Sequence, residues 1–160
     1  MAITYVRGDI FLSRAPVLGI DYNARGTVEV TPLATACMDR YPAAFSALRK
    51  QVRAGRIQAG DYWVWREVTP WLALLLVRQS AVGATRPRYI EAIAQKLARD
   101  WQREGLQGIA ITRPGESSEW PALRSVLDYW LGTISLPVVI YEEYLPGVHA
   151  PEPWDSPATG

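Results

Sequence analysis

The 160-residue chain contains one cysteine, Cys37, and one histidine, His149. A single thiol excludes an internal disulfide framework, and one thiol with one imidazole excludes a metal centre built from cysteine or histidine. Lysine is nearly as scarce, with Lys50 and Lys96 against 15 arginines. That matters for chemistry, because arginine stays protonated and cannot serve as an amine nucleophile or base. Long hydrophobic runs are missing too. The longest, at 71–77, is far short of the ~20 residues of a membrane span, and the N-terminus lacks a basic region followed by an apolar stretch. The expectation is therefore a cytoplasmic protein. Nor is there an excess of charge: 17 basic against 16 acidic residues leave a net charge of +1. Bulk charge thus gives no ground for nucleic-acid binding. G-x-S-x-G, Walker and G-x-G-x-x-G patterns are all absent, and nothing calls for a cofactor.

What is present is a globular composition, 49% hydrophobic and 21% charged, in a chain long enough for one well-filled domain. Residues 3–6 read as a strand stopped by Gly8, and 16–20 as a second apolar run. Thr31-Pro32 is a helix start, with a hydroxyl cap and proline at the first position, and Pro42 opens the next helix. Segments 61–66 and 71–77 suggest a hairpin. The clearest helix is 87–104, where Ile90, Ile93, Ala94, Leu97 and Trp101 form one stripe. A compact strand at 109–111, a helix striped by Trp120, Leu123, Leu127 and Leu131, and a buried strand at 137–141 follow. From Pro146 onward, prolines predict a loose tail, so the chain divides into a domain at 1–145 and a flexible segment at 146–160.

Short, continuously apolar strands alternating with helices argue for a mainly parallel sheet covered on both faces, a three-layer α/β/α sandwich. Such sheets place ligands beyond the carboxyl ends of their strands. The irregular stretches 21–30, 77–88 and 112–119 all follow strands, and function is expected there.

Ile3-Thr4-Tyr5-Val6-Arg7-Gly8-Asp9-Ile10-Phe11 resembles the opening of a macrodomain. The resemblance continues in order through Val17-Leu18, Asn23, Gly26, the segments 39–45 (DRYPAAF) and 55–60 (GRIQAG), Pro87-Arg88-Tyr89, Ile109-Ala110-Ile111 and Trp120. It covers roughly residues 2 to 145. It is strongest toward the subgroup holding the terminal ADP-ribose protein glycohydrolase and the antitoxins that remove ADP-ribose from DNA. The resemblance implies that Asp9 accepts a hydrogen bond from an adenine amino group, with the backbone of Ile10 beside it, and that Asn23 lies near the distal ribose. It puts the phosphates toward Gly26 in the first loop and toward Gly115 and Glu116 in the second.

The departures from the family pattern are equally specific. Val28, Glu29, Val30 and Pro32 stand where the first phosphate loop is glycine-rich, and the second loop has shrunk to Arg113-Pro114-Gly115-Glu116-Ser117-Ser118. Glu29 and Glu116 would repel a diphosphate unless Arg25, Arg78 or Arg113 offset them. The subgroup's catalytic lysine falls at about Arg78, and the loop for its aspartate is shortened. The expectation is a module that binds ADP-ribose or a related nucleotide weakly and lacks the family's hydrolase chemistry. Two alternatives stand: a hydrolase using other acid/base groups, and a scaffold that binds a protein partner instead.

Each singled-out residue also has a structural reading. Asp9 serves equally as a turn cap, and Asn23 as a turn residue. Arg78, Arg86, Arg88 and Arg113 could clamp phosphate or be solvated. Glu116 and Glu119 suit a helix N-terminus. Trp63 and Trp65, on one face of a strand, fit a core better than a stacking platform, and Cys37 reads as a small buried hydrophobe.

Overall fold

The computed structural model describes residues 3–155. Six strands form one sheet: β1 (Thr4–Gly8), β2 (Val17–Asn23), β3 (Tyr62–Trp65), β4 (Trp71–Arg78), β5 (Ile109–Thr112) and β6 (Val138–Tyr144). Their order is β1-β6-β5-β2-β4-β3. Every neighbouring pair is parallel except β3 with β4, the expected hairpin. The helices are α1 (Pro32–Arg40), α2 (Pro42–Arg53), α3 (Pro87–Asp100) and α4 (Trp120–Leu131). All four begin with proline in the first turn, where the missing N–H costs no helical bond. Thr31 caps α1, its Oγ1 accepting the Ala34 amide at 3.0 Å.

Two apolar layers sandwich the sheet. On one face Cys37 of α1 and Phe45 and Leu48 of α2 pack on Leu18, Ile20, Tyr22, Leu72, Leu74 and Leu76. On the other, Ile90, Ile93 and Leu97 of α3 and Leu123, Leu127 and Leu131 of α4 cover Val17, Ala73, Leu75, Val77 and Ile111. This is the expected three-layer sandwich. Alternate residues of β2 and β4 serve opposite layers, which is why these strands are apolar throughout. Trp63 and Trp65 pack against the first layer and Tyr62 and Val64 against the second, as half-buried residues of an edge strand.

Several boundaries differ from the sequence reading. Asp21-Tyr22-Asn23 and Val77-Arg78, assigned to irregular stretches, continue β2 and β4, because the parallel ladder runs to an Asn23–Arg78 pairing. Helix α3 closes at Asp100, and residues 101–105 form turns.

The tail differs more. Residues 146–154 do not hang loose; they strap across the strand ends. Val148 O accepts the Asp9 amide at 2.7 Å, and Ala150 joins the first apolar layer. Gly8 is needed for this approach, since a Cβ there would stand 2.8 Å from Val148 O and 2.9 Å from Ala150 Cβ. Glu152 is buried. Its carboxylate accepts from Ser13 Oγ (2.7 Å), the Arg14 amide (3.0 Å), Tyr141 Oη (2.8 Å) and Trp154 Nε1 (2.8 Å). Prolines deny this segment a backbone ladder, and a side chain supplies the bonds instead. Pro157 and the other residues at 156–160 lie outside the described residues.

Candidate functional site

A parallel sheet brings the carboxyl ends of its strands to one edge, where no ladder partner remains. Here Gly8 of β1, Asp21 of β2, Arg78 of β4, Thr112 of β5 and Tyr144 of β6 border a cleft of about 890 Å³. Loops 24–31, 79–86 and 113–119 wall it, contributing Glu29, Val82, Thr85, Arg113, Gly115 and Glu116 among others.

The floor is a closed ionic network. Asp21 stands in a strand otherwise packed with apolar residues, and Thr112 anchors it. The threonine hydroxyl accepts the Asp21 amide at 2.9 Å and donates to Oδ1 at 2.7 Å. Asp21 Oδ2 accepts from Arg78 Nη2 at 2.7 Å. Both Glu29 oxygens lie on Arg78 Nη1, at 2.8 and 3.0 Å, and Thr85 Oγ1 accepts from Nε and Nη2 at 3.3 and 3.2 Å. Burial alone would lower the Arg78 pKa, but the facing Asp21 and Glu29 carboxylates outweigh it and raise it. Burial pushes the Glu29 carboxyl above its ordinary value, against the pull of Arg78 and the Asn23 amide. Arg78 is thus a fixed cation with each of its three nitrogens hydrogen-bonded. It cannot act as a base or a nucleophile.

Ile10, Arg78, Arg113, Gly115 and Glu116, among the residues expected at the site, line this cleft, whereas Asp9, Asn23 and Gly26 stand outside its lining. The Asp9 carboxylate caps the short 3₁₀ turn Ile10–Leu12, accepting the Phe11 amide at 2.9 Å, and accepts the strap's Gly147 amide at 2.9 Å. Asn23 is wholly buried and shapes loop 24–31. Its Oδ1 accepts the Arg25 and Thr27 amides, and its Nδ2 donates to Thr27 O and Glu29 Oε2. Gly26 turns with φ +71° beside Arg49 of α2. Gly115, at φ +77°, holds a left-handed backbone that other residues rarely adopt, and a Cβ there would also press on Leu123 and Thr85 at 3.3 Å. Glu119, the residue before α4, makes no side-chain bond to the helix amides and turns back to accept the Glu116 amide at 2.9 Å.

Asp21, Thr85 and Thr112 were missed as site residues. Asp21 did carry a signal, as a carboxylate inside an apolar strand run. The two threonines carried none. The cleft is acidic, with Asp21, Glu29, Glu116, Glu119, Glu142 and Glu143 on its lining against Arg78 and Arg113. Among the described residues no cluster could hold a metal ion, and no helix is long and apolar enough to cross a membrane.

No family model and no curated protein matches the chain. Solved structures do. The macrodomain of Thermus aquaticus DarG superimposes with a TM-score of 0.79 at 20% identity, covering 88% of this chain and 97% of its own. Thermosipho africanus DarTG in complex with ADP-ribose gives 0.81 at 18% identity, covering 94% of this chain and 43% of its own. The macrodomain of Mycobacterium tuberculosis DarG gives 0.74 at 20% identity, over 87% and 96%. The sheet order, the four covering helices and these superpositions agree: the chain has the macrodomain fold.

Proposed function

We propose that the cleft binds ADP-ribose or a related adenine nucleotide, and that the protein does not hydrolyse ADP-ribosyl links by a lysine-dependent route. The observation that carries this reading is the cleft itself, placed at the carboxyl edge of a sheet whose fold is shared with a DarTG described in complex with ADP-ribose. Arg113 and Arg78 are the cations on the lining, Arg78 already held by Asp21, Glu29 and Thr85, with Gly115 giving backbone access. In this reading the adenine amine goes to Asp9, whose carboxylate already accepts two amides.

The acidic lining opposes a diphosphate, so affinity is weak, on the order of 10 µM to 1 mM. Calorimetric titration with ADP-ribose tests this, and absence of binding at millimolar ligand overturns it. An inosine analogue, which lacks the amino donor, should bind roughly ten- to hundred-fold more weakly if a charge-assisted bond to Asp9 of about 1.5–3 kcal/mol is lost. In turnover assays on ADP-ribosylated glutamate and ADP-ribosylated DNA the protein should release no ADP-ribose. Release that survives Arg78→Ala would refute the non-catalytic reading and make Glu116 the first suspect.

One observation favours the scaffold alternative. Val28, Val30 and Val82 are exposed by 59%, 91% and 98% on the loops around the cleft, as a protein-binding rim would be. Failure of nucleotide binding would leave that reading.

A further inference from the structure

Arg78 carries two carboxylates of different kinds. Asp21 belongs to the sheet and is fixed by Thr112 through two hydrogen bonds. Glu29 comes from a loop anchored mainly at its ends. At one end Tyr22 Oη and Asn23 Nδ2 hold Thr27 O; at the other, Thr31 caps α1. Among the described residues no backbone–backbone hydrogen bond holds 28–30; the Glu29 amide faces the Tyr22 hydroxyl, and the neighbours Val28 and Val30 face solvent. The Glu29 side chain is the main tie of this three-residue span to the body. It does so by laying both carboxylate oxygens on Arg78 Nη1, at 2.8 and 3.0 Å, in the position an external phosphate or carboxylate would take.

The charges point the same way. With Glu29 docked, one guanidinium faces two carboxylates, and the network is net negative toward an arriving anion. With Glu29 withdrawn, the Asp21–Arg78 pair is neutral, its geometry is kept by Asp21 and Thr85, and Nη1 loses its acceptor on a residue that lines the cleft. Withdrawal moves residues 28–30 and releases the Asn23 Nδ2 bond to Glu29 Oε2.

We propose that Arg78 Nη1 is the cleft's anion-binding group and that Glu29 is its internal occupant, which an anionic ligand must displace. The proposal deepens the nucleotide reading by assigning the phosphate contact and its competitor. Apparent affinity for a phosphate-bearing ligand is then reduced by the fraction of molecules with Glu29 withdrawn. A minor state of 10% or less makes that factor at least about ten.

The test is calorimetric titration of inorganic pyrophosphate, ADP-ribose and adenosine into the wild type, Glu29→Gln, Glu29→Ala and the double variant Glu29→Ala/Arg78→Gln. Circular dichroism and melting establish that each variant is folded. Pyrophosphate and ADP-ribose should bind Glu29→Ala at least about ten-fold more tightly than the wild type, with Glu29→Gln between them. Adenosine, which carries no phosphate, should not change, and the gain should vanish in the double variant. If Glu29→Ala fails to fold, the isosteric Gln variant carries the comparison. Failure of the nucleotide reading looks different: adenosine and ADP-ribose bind no variant, while pyrophosphate still binds the Glu29 variants more tightly, which supports the displacement. Pyrophosphate binding that is no tighter in a folded Glu29 variant, or a gain that persists without Arg78, overturns the proposal.

Discussion

At the scale of single residues, the sequence names chemical types but not their partners. Glu29 reads along the chain as a charge that repels phosphate. In the fold it is also half of a buried ion pair with Arg78, 49 positions away. No local pattern announces such a pair, because it exists only once β2 and β4 lie side by side. Asp9 carried two readings, and the structure shows the hydrogen bonds of the turn cap while leaving adenine contact to the titrations above. Cys37 was legible, since a lone apolar-flanked cysteine on a helix is most often buried. It is fully buried in the layer formed by α1 and α2, and burial pushes its thiol up to about 12. Reaction with an aromatic disulfide reagent requires thiolate and access, and the native protein offers neither. At neutral pH Cys37 should stay unreacted over hours in the native protein and titrate fully in denaturant. Rapid native labelling would show that the α1–α2 layer opens.

At the scale of elements, caps and periodicity located the helices and the hairpin, since both are local properties of the chain. Strand ends were less legible. Asp21, Asn23 and Arg78 are polar residues that stay in the ladder because the network and loop 24–31 satisfy them, which a propensity argument does not see. The strap at 146–154 escaped for the same reason. Proline content argues correctly that its backbone cannot join a ladder, but its hold comes from Ala150 in the core and from Glu152. Two outcomes follow. Truncation after Leu145 should lower the melting temperature by more than about 5 °C, measured by calorimetry. Glu152→Ala leaves the Tyr141 hydroxyl, the Trp154 indole and the Ser13 hydroxyl without that acceptor, and should cost about 2–4 kcal/mol in denaturant unfolding. A truncated protein that melts within about 2 °C of the full chain would mean the strap rests on the surface without stabilising it.

At the scale of the whole molecule, the layered architecture followed from the alternation of apolar strands and helices, while the strand order did not. Placing β6 between β1 and β5 needs contacts between chain ends that no periodicity encodes. The two layers have a measurable consequence in alkali, because each covers proton-bearing side chains. Burial first, then neighbouring carboxylates, pushes Tyr22 up to about 12 from 10.0 and Tyr62 up to about 12 from 10.0. Cys37 rises to about 12 from 9.0, again chiefly by burial. In each case the folded protein holds a proton that the unfolded chain releases at lower pH. The unfolded state therefore binds fewer protons between about pH 8 and 12, and unfolding becomes more favourable as pH rises through that window. Below about pH 8 these three groups are protonated in both states and contribute no slope. Urea midpoints should accordingly be flat from these groups up to about pH 8, begin to fall there through Cys37 and fall more steeply above about pH 9. Tyr22→Phe removes one of the three titrations along with the hydroxyl's bond to Thr27 O. It should lower the neutral-pH midpoint while making the alkaline fall shallower. A fall of unchanged steepness in Tyr22→Phe would mean that Tyr22 ionises in the folded protein as readily as in the unfolded chain, and that the α1–α2 layer does not exclude water from its hydroxyl.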